Sequence, residues 1–144
     1  WGMSHVITSL RLEMTTLDFI EGQPVKGSLH VEVSRDTSFE GIKLELRRLE
    51  TVTEGKVPNT SERVAVNKSL APHTFLKANE AKAFPFEFPF FLNGQSSFEG
   101  ESCEVAWYLR AILSRSYSGE SDPVVTQKVY LYNKPGSDSD REGH

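Results

Sequence analysis

The side chains of this sequence best suited to binding a metal or moving a proton are four histidines, one cysteine and twenty carboxylates. His5, His30, His73 and His144 are scattered along the chain, and none forms a recognised metal-ligand spacing with another His or with Cys. His30 falls on the polar face of its segment, as an ordinary surface histidine would. Cys103 would need a base nearby and partial exposure to act as a nucleophile. Its place in an apolar alternation makes it a small core side chain instead. No glycine-rich phosphate loop and no Gly-x-Ser-x-Gly turn is present, and no sequence feature pairs two carboxylates for acid–base work. The expectation is a chain that is not an enzyme and needs no cofactor, with no catalytic, metal or cofactor-binding residue to assign.

Two other groups could make contacts. The doublet Arg47-Arg48 is either a binding patch or a β-bulge with solvated side chains, and the slip in alternation around it favours the bulge. Tyr108, Tyr117, Tyr130 and Tyr132 could stack on sugar rings in a carbohydrate- or small-ligand-binding module. Packing in the core or on a sheet surface accounts for them at least as well.

Composition narrows the class. The formal net charge is −4 with Lys and Arg dispersed, whereas nucleic-acid binders collect cations into a stripe that displaces counterions from phosphates. Nucleic acid is therefore not an expected partner. No apolar run approaches the roughly 20 residues that span a bilayer as a helix. With one cysteine an internal disulfide cannot form, and residues 1–30 lack the order of a signal peptide; both point to a reducing, cytoplasmic setting.

The elements that must position these residues are strands, because the apolar pattern has period two nearly throughout. Val6, Thr8, Leu10, Leu12 and Met14 share a face, then Glu21-Gly22-Gln23-Pro24 signals a turn. Val25, Gly27, Leu29, Val31 and Val33 alternate with polar residues. Arg35 to Ser38 reads as a loop, and a strand with Ile42, Leu44 and Leu46 inward runs from about Gly41 to Thr53. Residues 54–61 read as a polar loop, Arg63–Leu70 as a weaker strand with Val64 and Val66 inward, and 71–81 as mixed, with room for a short helical turn. Phe84, Phe86, Phe88 and Phe90 alternate with residues that include Pro85 and Pro89, which confines that strand to a sheet edge. Asn93-Gly94 opens a loop. Cys103, Val105, Trp107, Leu109, Ala111 and Leu113 form the longest apolar face, Ser116–Asp122 a turn, and Pro123–Tyr132 the last strand. Seven or so strands joined by polar turns predict an all-β antiparallel sandwich. Residues 4–133 are expected to form that one domain. Residues 134–144 are expected to be a disordered tail ending in a tag remnant.

Four of these stretches, in order, resemble the N-terminal domain of the arrestin-domain clan. Asp18-Phe19-Ile20-Glu21-Gly22-Gln23-Pro24-Val25-Lys26-Gly27 is similar to that family's (E/P)-G-(E/Q)-x-V-x-G opening. Gly41-Ile42-Lys43-Leu44-Glu45-Leu46 matches its G-I-x-L-x-L strand, and Phe84-Pro85-Phe86-Glu87-Phe88 its F-x-F-x-(F/L) strand. Ser97-Phe98-Glu99-Gly100 with Val105 to Ala111 resembles its S-F-E-G and (I/V)-x-(Y/W)-x-L-x-A segment. The clan includes trafficking adaptors, retromer-type subunits and bacterial sporulation-control proteins. The resemblance implies an immunoglobulin-like sandwich acting as a non-catalytic protein-binding adaptor in trafficking or regulatory signalling. Its partners would be other proteins, a second arrestin-like domain, or a second copy joined through sheet edges.

The match has limits. His5-Val6-Ile7 stands where receptor-desensitising arrestins carry paired lysines, so phosphoreceptor recognition is not implied. The short amphipathic helix of those arrestins is not evident, and the chain has room for one sandwich where the family usually has two.

Overall fold

A computed structural model describes residues 6–55, 57–92, 98–100, 103–115 and 122–133. His5, Tyr117, His144, the Asn93-Gly94 loop, most of the 116–122 turn and residues 134–144 lie outside these. Two sheets face each other. The smaller has the order β1 (Ile7–Glu13), β3 (Val25–Val33), β7 (Ala81–Phe88). The larger runs β2 (Asp18–Ile20), β10 (Val124–Tyr132), β9 (Cys103–Arg115), β4 (Thr37–Glu54), β5 (Val57–Ala71). In addition β6 (Thr74–Leu76) lies on β4 and β8 (Phe98–Glu99) on β9.

The period-two faces become the core. Leu29, Val31, Val33, Phe84, Phe86 and Phe88 of the smaller sheet meet Ile42, Leu44, Leu46, Trp107, Leu109 and Leu113 of the larger, all buried. β7 is an edge strand as Pro85 within it requires, with Pro85 and the following Pro89 exposed while the phenylalanines turn inward. Gly22 sits at φ 101°, the left-handed region a turn glycine tolerates. Gly100 closes the β8–β9 hairpin, its amide donating to the Cys103 carbonyl at 2.9 Å. That bond makes it a flank of the turn.

Gly27 has a different task. On the inner face of β3, a Cβ there would meet the Met14 side chain, the Glu13 carbonyl at 2.8 Å and Phe86 Cζ at 2.9 Å. Its absence lets β1 and β7 close over the middle of the sheet.

Several expectations need correction. Within the expected all-β sandwich one short pairing is parallel, that of β2 with β10, Phe19 beside Leu131. Thr8 does not share the inward face, because a register shift between Ile7 and Ser9 leaves it exposed, its hydroxyl donating to the Glu32 carbonyl. Thr37 and Ser38 are strand residues paired with β6, and no helical turn interrupts 71–81. The polar stretch 54–61 is mostly not a loop. β4 and β5 continue as a ribbon to the pair Glu54–Val57, and Gly55 at φ 72° serves the tight turn.

The bulge expected at Arg47-Arg48 belongs to the partner strand. Leu46 pairs with Val66 and Arg47 with Val64, so Ala65 of β5 is the extra residue. Against β9 the register of β4 runs unbroken through Leu46–Leu109, Arg47–Tyr108 and Arg48–Trp107. Two consequences follow from the period of two. Val64 turns to the outer face, where it is 41% exposed, and Arg48 turns inward.

Candidate binding edge

β5 ends the larger sheet, and its long outer side pairs with no described strand. It is exposed from Val57 to Ala65 and half-buried at intervals from Val66 onward. Such an edge offers a row of backbone N–H and C=O groups to another chain. Its sequence shows the usual guards against indiscriminate pairing: Glu62, Arg63 and Lys68 along it, and extra residues at Ala65 and Leu70 that bend it.

The arginine doublet straddles the sheet here. Arg47, on the outer face, donates from Nε to Glu62 Oε2 at 2.7 Å and from Nη1 to Glu45 Oε1 at 2.6 Å. Its guanidinium thus joins β4 to β5 around the bulge. The hydrogen bond to Arg47 holds the Glu62 carboxyl below its usual range, against desolvation acting the other way. Bonds to Glu62 and then Glu45 raise the pKa of Arg47 in return.

Arg48 is on the opposite side of the sheet. Its side chain is 11% exposed, with Nη1 3.3 Å from Glu50 Oε1, and its Nε is buried with no hydrogen-bond partner among the described residues. Neither arginine is the solvated side chain that a bulge on β4 would have produced.

Across the sheet, Arg48 is flanked by Arg63 of β5 and Trp107 of β9. Beside this row opens a cavity of about 200 Å³, bounded by buried Leu46, Trp107, Phe90 and Leu92 and by exposed Arg63 and Phe91. Phe91 is 72% exposed, next to its fully inward neighbour Phe90. The segment is anchored from below: the Leu92 amide donates to Glu21 Oε2 at 3.0 Å, so the turn after β2 fixes the wall of the cavity. A wider groove of about 770 Å³ crosses the smaller sheet near Glu13, Lys26 and Glu87.

The other sequence candidates are dispersed. His30 Nε2 lies 3.0 Å from Glu13 Oε1 and His73 Nε2 3.0 Å from Ser38 Oγ. Among the described residues no group of three or more His, Cys, Asp or Glu could hold a metal ion. Cys103 is half-buried and paired with Val52, away from both histidines in the strand order. Tyr130 and Tyr132 share the outer face of β10 at 37% and 43% exposure. The Tyr132 hydroxyl donates to Asp18 Oδ1 at 3.4 Å, and desolvation, then that carboxylate, raises its pKa. Tyr108 is half-buried beside Arg47. None of the described tyrosines lines either cavity.

Sequence reasoning missed Arg63 and Phe91. The Phe90-Phe91 doublet breaks the alternation and could have flagged Phe91 as outward. Arg63 could not be placed without knowing which strand carries the bulge.

The fold is that of an arrestin-like β-sandwich. A solved structure of Spo0M, the sporulation control protein of Bacillus subtilis, superposes with a TM-score of 0.72 at 17% sequence identity, over 93% of this chain. The chain spans about half, 52%, of the Spo0M chain. No protein-family model and no curated protein matches the sequence. No helix among the described residues is long and apolar enough to cross a membrane.

Proposed function

We propose that this chain is a non-catalytic protein-interaction module, of adaptor or regulatory type, that receives its partner along β5. The observation that carries the reading is the unpaired outer side of a fifteen-residue edge strand, flanked by exposed Val57, Val64 and Phe91. Strand addition draws affinity from main-chain hydrogen bonds and specificity from alternate side chains, and this edge supplies both. The likeness in fold to a sporulation control protein supports a regulatory role. Pairing with a second sandwich or a second copy is the competing use of the same edge.

The test is capture of a partner from the source cell followed by hydrogen exchange on the purified complex. Protection of the β5 amides supports the proposal, and a footprint confined to other strands refutes it. Light scattering across a concentration series separates the competing use, since pairing between copies raises the mass.

A further inference from the structure

We propose that the groove on the smaller sheet is a binding site for a free α-amino acid with an apolar side chain. The inference is separate from the β5 edge and from the partner proposed there. β1 stops at Glu13, opposite Ser28, while β3 runs on to Val25 against β7. The groove of about 770 Å³ opens at that step, within the roughly 300–1,000 Å³ of small-molecule sites. Its lining combines apolar Met14, Pro85 and Phe86 with charged Glu13, Lys26 and Glu87. Met14 can form a wall there because Gly27 has no Cβ: the methionine side chain stands where that atom would be.

Lys26 and Glu87 are directly opposite on β3 and β7, so both side chains leave the same face of the sheet, and both are exposed. Neither makes an ion pair with a described residue. Glu13 is already engaged, with Arg11 Nη2 3.5 Å from one carboxylate oxygen and His30 Nε2 3.0 Å from the other. The groove therefore offers one cation and one anion side by side, with apolar surface beyond them. A free α-amino acid carries the complement on neighbouring carbons, a carboxylate for Lys26 and an ammonium for Glu87. Its side chain would run over the Ser28–Pro85 row, the next on that face, toward Met14. A peptide does not match, because the chain between its termini separates the two charges.

The probe is L-leucine, titrated into the full chain and followed by amide chemical shifts in two-dimensional NMR. Shifts should centre on Lys26, Gly27 and Ser28 and on Phe86 and Glu87. N-acetyl-L-leucine lacks the ammonium and L-leucinamide the carboxylate, so each should bind about fivefold more weakly than leucine. Lys26→Gln should weaken leucine about as much and leave leucinamide unchanged. Glu87→Gln should weaken leucine and leave N-acetyl-leucine unchanged, because that ligand has already lost the matching charge. Both side chains are exposed, so the variants should keep their fold, with circular dichroism as the control. No shifts up to the solubility of leucine, shifts centred elsewhere, or equal affinity for the three ligands would each overturn the proposal. Variants that weaken all three ligands alike would overturn it too.

Discussion

Arg48 lies directly across from Trp107 on the inner face of the larger sheet, so a guanidinium and the largest core side chain are cross-strand neighbours. Leu46 and Leu109, one step along the same face, are fully buried. The interior therefore changes from apolar to charged within two residues of β4. That boundary separates the apolar core from the charged end of the same sheet face.

Trp107→Ala tests the apolar side of the boundary. The indole is 2% exposed, and truncating a buried Trp typically costs about 3–5 kcal/mol. Against a whole-domain stability of roughly 5–15 kcal/mol, urea denaturation should show a large drop in midpoint or no folded baseline. A loss below about 1 kcal/mol would mean that the side chain is not part of the core.

Gly27→Ala adds one methyl and should still destabilise. The Glu13 carbonyl and Phe86 ring stand within 3 Å of the new Cβ, and overpacking of this kind costs about 1–3 kcal/mol. The expected signature is a lower melting temperature with an unchanged circular dichroism spectrum. A neutral result would show that β1 can move away from β3 freely.

Glu62→Gln should flatten the acid limb of the stability curve. Arg47 lowers the folded-state pKa of Glu62 relative to the unfolded chain. The stabilisation is then fully present above the ordinary carboxylate range and is lost as pH falls through that range to the lowered folded value. Urea midpoints between pH 7 and pH 3 should fall less steeply for the variant. Parallel curves would mean that the Arg47–Glu62 contact contributes nothing in solution.

Phe91→Ser separates binding from stability. At 72% exposure the ring makes little core contact, so the unfolding midpoint should shift by no more than about 0.5 kcal/mol. Affinity for a partner seated on β5 should fall, because the ring flanks the cavity there. Unchanged affinity, measured by titration calorimetry with the captured partner, would remove Phe91 from the interface.

The sequence by itself determined the sheet-forming segments and most of their inward faces. Side-chain direction alternates strictly along a strand, so Val25, Leu29, Val31 and Val33, like the alternating phenylalanines of β7, declared their burial before any partner was known. Pro85 of β7 and Pro89 just after it announced an edge for a similarly local reason, their missing N–H. Pairing was decided only by the tertiary structure. An extra residue shows in the sequence as a slip in alternation, and it can sit on either of two strands that meet. The slip near Arg47-Arg48 looks the same in one dimension whether β4 or β5 carries it. Three-dimensional register assigned it to Ala65, and that one assignment sent Val64 outward, put Arg63 beside Arg48 and brought Arg48 to Trp107. The candidate edge was hidden for this reason: its residues come from the consecutive strands β4 and β5 and from the remote β9, and only hydrogen-bond register sets them in a row.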